Sequence, residues 1–210
     1  MRVCLITGGT SGVGRSIALG CARDGASVVI TGRDPARGPE TARAIRDATG
    51  NQAVEWLGAD MGDFDSVRLL AVQFRRRFGS LHVLSLNAAV LTWSRAVTAA
   101  GHELTFATNY LGHFLLVTLL EDLLRASAPA RVLAVAGVPA TIRGVRLDWD
   151  DLMMTRGYSA LRATGCAALA KVLFTFELAR RLSGSGVTAN TFHPGLVRSA
   201  LPSHLPWPLR

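Results

Sequence analysis

The chain has 210 residues, of which 49% are apolar and 18% charged, with 21 glycines and 8 prolines. That is enough apolar material for a sizeable core, and it excludes a disordered, collagenous or disulfide-stapled chain. The formal charge is +8, yet only one of the 23 basic residues is lysine, Lys171. The arginines are scattered apart from Arg75-Arg76-Arg77, so the excess reads as genome composition rather than a nucleic-acid footprint. Three cysteines (Cys4, Cys21, Cys166) lie far apart with no metal-ligand spacing, and their odd number points to a reduced, cytoplasmic protein. No signal peptide is read after Arg2, because the run VCLIT stops at two glycines. The stretch LGHFLLVTLLEDLL carries His113, Glu121 and Asp122 and is too short to span a bilayer. No membrane partner is expected, and the length favours one domain over residues 1–210.

Short β-branched runs predict strands near 2–7, 27–31, 53–57, 81–86, 131–136 and 187–192. Helical patterns fall between them, near 12–24, 35–48, 64–77, 101–125 and 160–183. Continuous apolar strands alternating with helices predict an α/β, Rossmann-like, doubly wound parallel sheet with helices on both faces. The longest irregular stretch, 137–157, holds Asp148, Trp149, Asp150 and Asp151. It reads equally as a binding loop with a general base at the pocket mouth and as a solvated surface excursion.

The first strand runs into TGGTSGVG, residues 7–14, and then into a helix. Gly8, Gly12 and Gly14 let the backbone turn tightly and approach a pyrophosphate, and the helix start offers free N–H groups to the anion. At the first strand–helix junction of a βαβ pattern this spacing is a strong dinucleotide signal. The second strand ends in TGRD, where Gly32 leaves room and Arg33 can pair with a ribose 2′-phosphate. That favours NADP(H), while Asp34 keeps NAD(H) open.

These residues resemble the short-chain dehydrogenase/reductase family, in particular its retinol-dehydrogenase-like branch. The resemblance is carried by TGGTSGVG, by Ala59-Asp60, by LNAA at 86–89, by NYLGHFLL at 109–116, by KVLFTFELARRL at 171–182 and by HPGLVRS at 193–199. It implies that Gly8, Thr10, Ser11, Gly12, Val13 and Gly14 hold the cofactor with Arg33. It implies that Asp60 and Met61 border adenine, that Asn87 and Ala88 line the cofactor, and that Pro194, Gly195 and Val197 border the nicotinamide. It also implies a homodimer paired through a helix, for which the small residues Ala163, Gly165, Ala167, Ala168 and Ala170 offer a close-packing face. His113 and His193 read as packing or hydrogen-bonding residues, and Cys166 as a buried small residue.

The family's chemistry needs an Asn, a Ser and a Tyr-x-x-x-Lys pair. The Asn matches Asn109, but Ala136-Gly137 stand where the serines belong, Thr164 where the Tyr belongs and Ala168 where the Lys belongs. A threonine hydroxyl is a far weaker acid than a phenol, and losing a positioned general acid costs about 10²–10⁴-fold in rate. A couple of Tyr158 with Arg162, also four apart, is a conceivable rescue, in which guanidinium stabilises a phenolate but does not pass a proton along. Family members continue beyond HPGLVRS into a substrate lid and a seventh strand, whereas this chain ends in LPSHLPWPLR. The sixth strand is therefore expected as an open edge that favours pairing. The expected function is a repurposed non-redox enzyme of small-molecule metabolism (a cyclase, isomerase, dehydratase or aldol-type catalyst) with Asn109, Tyr158 and Thr164 as its candidate catalytic groups. The alternatives are a non-catalytic NADP(H) sensor or partner protein, and a weak oxidoreductase with a substitute proton donor.

Overall fold

A computed structural model describes residues 1–137 and 142–195. Six parallel strands are joined by helices: β1 (Val3–Ile6), β2 (Ser27–Gly32), β3 (Val54–Gly58), β4 (Val83–Leu86), β5 (Ala130–Val135) and β6 (Val187–Phe192). Their order in the sheet is β3-β2-β1-β4-β5-β6. The order reverses between β1 and β4, and such a switch point opens a crevice at the carboxyl ends of the strands. β1 is buried along its whole length, as a strand covered on both faces must be.

The helices are α1 (Gly12–Arg23), α2 (Arg37–Thr49), α3 (Phe64–Arg77), α4 (Leu104–Phe106), α5 (Gly112–Ala126) and α6 (Ala160–Arg181), with a π-helical turn over Ala107–Leu111. Two apolar clusters fill the two faces of the sheet. One joins Leu5, Val29, Phe74, Leu84, Leu116 and Leu120 between the sheet and α3 and α5. The other joins Ile6, Ala18, Val28, Ile30 and Ile45 beneath α1 and α2.

The strands and long helices begin and end within two residues of the predicted ranges except at one place. The helix expected over 101–125 starts at Leu104, because Gly101 takes φ +82° in a turn and the wholly buried Glu103 carboxylate accepts from the N–H groups of Thr105 and Phe106. It then widens into the π-turn before α5 resumes. Gly112 lies so close to the Met61 carbonyl that any Cβ would collide with it. That contact brings the loop after β3 against the π-turn and sets the position of Asn109. Among the described residues β6 is the last strand of the sheet.

The face of small residues on α6 does not serve as expected. Ala163, Gly165, Ala167, Ala168 and Ala170 are all buried within the chain itself, Ala167 and Ala170 against Phe106 and Tyr110, and Ala163 against Met154 and Val145. The large apolar side chains that α6 leaves exposed are Leu161, Leu173 and Phe176.

Candidate functional site

One cavity of about 760 Å³ runs along the carboxyl ends of the strands. Its wall begins with Gly8, Thr10, Ser11, Gly12 and Val13. Gly8 and Gly12 take φ +63° and +51°, a region that side chains other than glycine's rarely adopt. A Cβ on Gly14 would collide with the Gly8 carbonyl oxygen and lie 2.5 Å from the Asn87 amide nitrogen. Asn87 in turn donates from that nitrogen to the carbonyls of Thr7 and Gly8, both at 3.1 Å, and so fixes the loop's shape. Ser11 caps α1 with its backbone alone, leaving the first-turn N–H groups free for an anion. Glycines that only glycine can satisfy, closing on an uncapped helix start, fit a dinucleotide pyrophosphate.

At the β2 end, Arg33, Asp34 and Arg37 line the same cavity. The Asp34 carboxylate accepts from the N–H groups of Ala36 at 2.9 Å and Arg37 at 3.1 Å, which hold it below its usual titration range. It is therefore engaged in starting α2. Arg33 lies 4.0 Å from Asp60, mostly in solvent. Gly32 lines the cavity beside them. A Cβ there would meet Thr10 Cγ2 at 2.8 Å, so the missing side chain lets the strand end close on the glycine loop. Arg37 was not anticipated from the sequence; its spacing of four from Arg33 was the available signal.

Asp60, Met61, Asn87, Ala88, Pro194 and Gly195 also line the cavity, whereas Val197 lies outside the described residues. The far end is formed by Asn109, Val135, Ala136, Gly137, Thr164, Ala167, Ala168 and Lys171. The positions expected to carry the chemistry thus come together, with the replaced residues in place.

The side chains there are largely committed. Asn109 accepts from the Val90 N–H at 2.8 Å and donates to the Val90 carbonyl at 3.0 Å, pinning the loop after β4. Thr164 donates to the Ala160 carbonyl at 2.8 Å. Tyr158 is not part of the wall, contrary to expectation. Its hydroxyl donates to the Thr92 carbonyl at 2.8 Å and lies 2.8 Å from the Thr92 hydroxyl, so it ties two loops together. Residues 142–157 likewise stay off the wall and pack against α6. Of their carboxylates, Asp148 lies 3.8 Å from Arg162, and Asp151 is drawn down to about 2, chiefly by the N–H of Thr155. Neither is placed as a general base. Cys166 is buried, with its thiol pushed up by burial and 3.7 Å from the Arg146 carbonyl.

Lys171 was missed as a site residue. It lies seven residues after Thr164 and three after Ala168, on the same face of α6. It is 3% exposed and donates to the Val135 carbonyl at 3.3 Å. Burial lowers its pKa from 10.5 to about 7. His113, behind it, is held well below 6.5 by burial and by Lys171. The Asn109 carbonyl, 3.1 Å from His113 Nδ1, can only accept, so Nδ1 carries the proton and Nε2 accepts from the Thr7 hydroxyl at 2.9 Å.

The family profile described as short chain dehydrogenase matches residues 2–148. This chain belongs to the short-chain dehydrogenase family. Its curated relatives place it in the retinol-dehydrogenase-like branch. Human "Retinol dehydrogenase 12" is 41% identical over 203 residues, covering 97% of this chain and 64% of that protein. Human "Polyprenol dehydrogenase" is 39% identical over 215 residues, covering 100% of this chain and 64% of that protein. The chain therefore spans less than two thirds of the length of these relatives. Among solved structures, "Pseudomonas aeruginosa RhlG/NADP active-site complex" superposes with a TM-score of 0.79 at 29% identity, covering 97% of this chain and 75% of that one. An uncharacterised protein from Mycobacterium paratuberculosis gives 0.79 at 34% identity, covering 93% of this chain and 68% of that one. Among the described residues of this family member, no helix is long and apolar enough to cross a membrane.

Proposed function

We propose that this family member binds NADP(H) in the cavity and carries out a non-redox conversion of a small molecule beside it. The cofactor part rests on the glycine loop closing on the uncapped start of α1, with Arg33 and Arg37 beside it and Asp34 already engaged. A solved relative at 29% identity is described as an NADP complex, which agrees with this choice. When bound, NADPH is a hydride donor; the chain's own residues bind and orient it, and none of them is a phenol or other matched acid at position 164. The observation that carries the non-redox part is the cavity wall itself: Ala136, Thr164 and Ala168 line it, and Tyr158 is tied to Thr92 outside it. The curated relatives are named as dehydrogenases, so the departure concerns this chain's own site. Exposed Leu161, Leu173 and Phe176 on the outer side of α6 support a homodimer.

Arg33→Ala tests the cofactor choice. A charge-assisted contact to a phosphate contributes about 1.5–3 kcal/mol, so NADPH should bind at least tenfold more weakly while NADH affinity stays within about twofold. Titration calorimetry with both nucleotides reads this directly. Equal weakening of both would mean that Arg33 does not read the 2′-phosphate.

A further inference from the structure

Lys171 is a buried cation that no feature of dinucleotide binding explains. Among the described residues no carboxylate pairs with it and its only hydrogen bond runs to the Val135 carbonyl, so none of them engages the lone pair of the neutral amine. An unpaired charge in such a place is costly, which makes the site a functional candidate. Ala136, Gly137, Ala167 and Ala168, with short side chains or none, line the same cavity as Lys171. Its titratable neighbour among the described residues, His113 on α5, has both ring nitrogens committed to Thr7 and Asn109 and stays neutral.

We propose that Lys171 is a nucleophilic amine that captures an aldehyde or ketone in this cavity as an imine. The neutral nitrogen adds to the carbonyl carbon, and the carbonyl oxygen takes one amine proton to give a carbinolamine. That oxygen then takes the second proton and leaves as water while the C=N bond forms; no electrons are exchanged. A protonated imine draws electrons from the neighbouring carbon, which is the activation that aldol-type cleavage or isomerisation requires. A pKa drawn down to about 7 leaves a large share of the amine uncharged near neutrality, where an exposed lysine is almost wholly protonated. The inference rests on the non-redox reading of the cavity and names its substrate class; with the oxidised dinucleotide bound there is no hydride to give to the imine. Leu91, Leu104 and Val90 in the wall favour an apolar carbonyl compound.

The chain's single lysine makes the test clean. The full chain is incubated with hexanal and sodium cyanoborohydride, which reduces an imine to a stable secondary amine, and the adduct is mapped by peptide mass spectrometry. Labelling at Lys171 should outpace that of the exposed α-amine of Met1 per neutral amine. It should also be about tenfold or more faster than labelling of a free lysine side chain at pH 7. It should vanish in Lys171→Met and in Lys171→Arg, the second keeping the cation so that loss of fold is distinguished from loss of the amine. Labelling confined to Met1 in a folded chain overturns the proposal. An NADPH-induced thermal shift in the same preparation separates the two readings. A shift without Lys171 adduct leaves the cofactor site standing and removes imine capture; adduct without a shift does the reverse.

Discussion

Replacing Ala136 by serine, Thr164 by tyrosine and Ala168 by lysine together should raise NADPH-dependent carbonyl reduction about 10²–10⁴-fold over the unmodified chain. All three positions lie in the cavity wall with the glycine loop that would hold the cofactor. Positions 164 and 168 are four apart on α6, so both new side chains project from one face. A lysine cation beside a phenol favours the phenolate and brings its pKa toward the working pH, while the serine adds a hydrogen bond to the developing oxyanion. Thr164→Tyr alone should gain far less, since groups acting as a unit are not additive. NADPH consumption with a short aldehyde reads the rate, and a folded, NADPH-binding triple variant with no gain would show that the missing groups are not what limits the site.

The second large effect is a stability that rises with pH. Lys171 titrates near 7 in the folded chain and near 10.5 when unfolded. Between those values the unfolded chain binds more protons, so stability increases with pH across the window and levels off above it. The full difference is about 5 kcal/mol, a large part of what a domain of this size has in hand. On the acid side, His113 stays neutral when folded but charges below about 6.5 when unfolded, so stability falls further as pH drops through that value. Denaturant titrations at pH 7 and pH 10 should differ accordingly, and Lys171→Met should flatten the alkaline part while leaving the acid part. A flat wild-type profile between those pH values would mean that the Lys171 ammonium is well solvated or paired.

The fold was legible because its signals are local. SVVIT is a strand buried on both faces, RVLAVA buries every second residue, and the glycine loop after β1 needs φ values that only glycine supplies cheaply. Aligning KVLFTFELARRL located positions 164 and 168, and both line the cavity as expected. What the sequence hid depends on tertiary geometry. Tyr158 carries the right chemistry, but its hydroxyl is spent on Thr92, sixty-six residues away along the chain. The small face of α6 looked available for a partner until Phe106, Tyr110 and Met154 were seen to cover it. Lys171 was in view as the sole lysine, but only burial beside the Val135 carbonyl turns it into a candidate nucleophile. Asp34 could have read a ribose hydroxyl, and its engagement with the start of α2 is a matter of backbone geometry.

The central claim is a dinucleotide site without its proton donor. The most direct measurement titrates NADPH into the chain and then follows its oxidation with a panel of aldehydes and ketones in the same cuvette. At about 100 times its dissociation constant, bound NADPH should add about 2.7 kcal/mol of stability, seen as a raised Tm. Its absorbance should then fall by no more than one equivalent per chain with any carbonyl compound. Sustained turnover, with many equivalents oxidised and alcohol formed, would contradict the account.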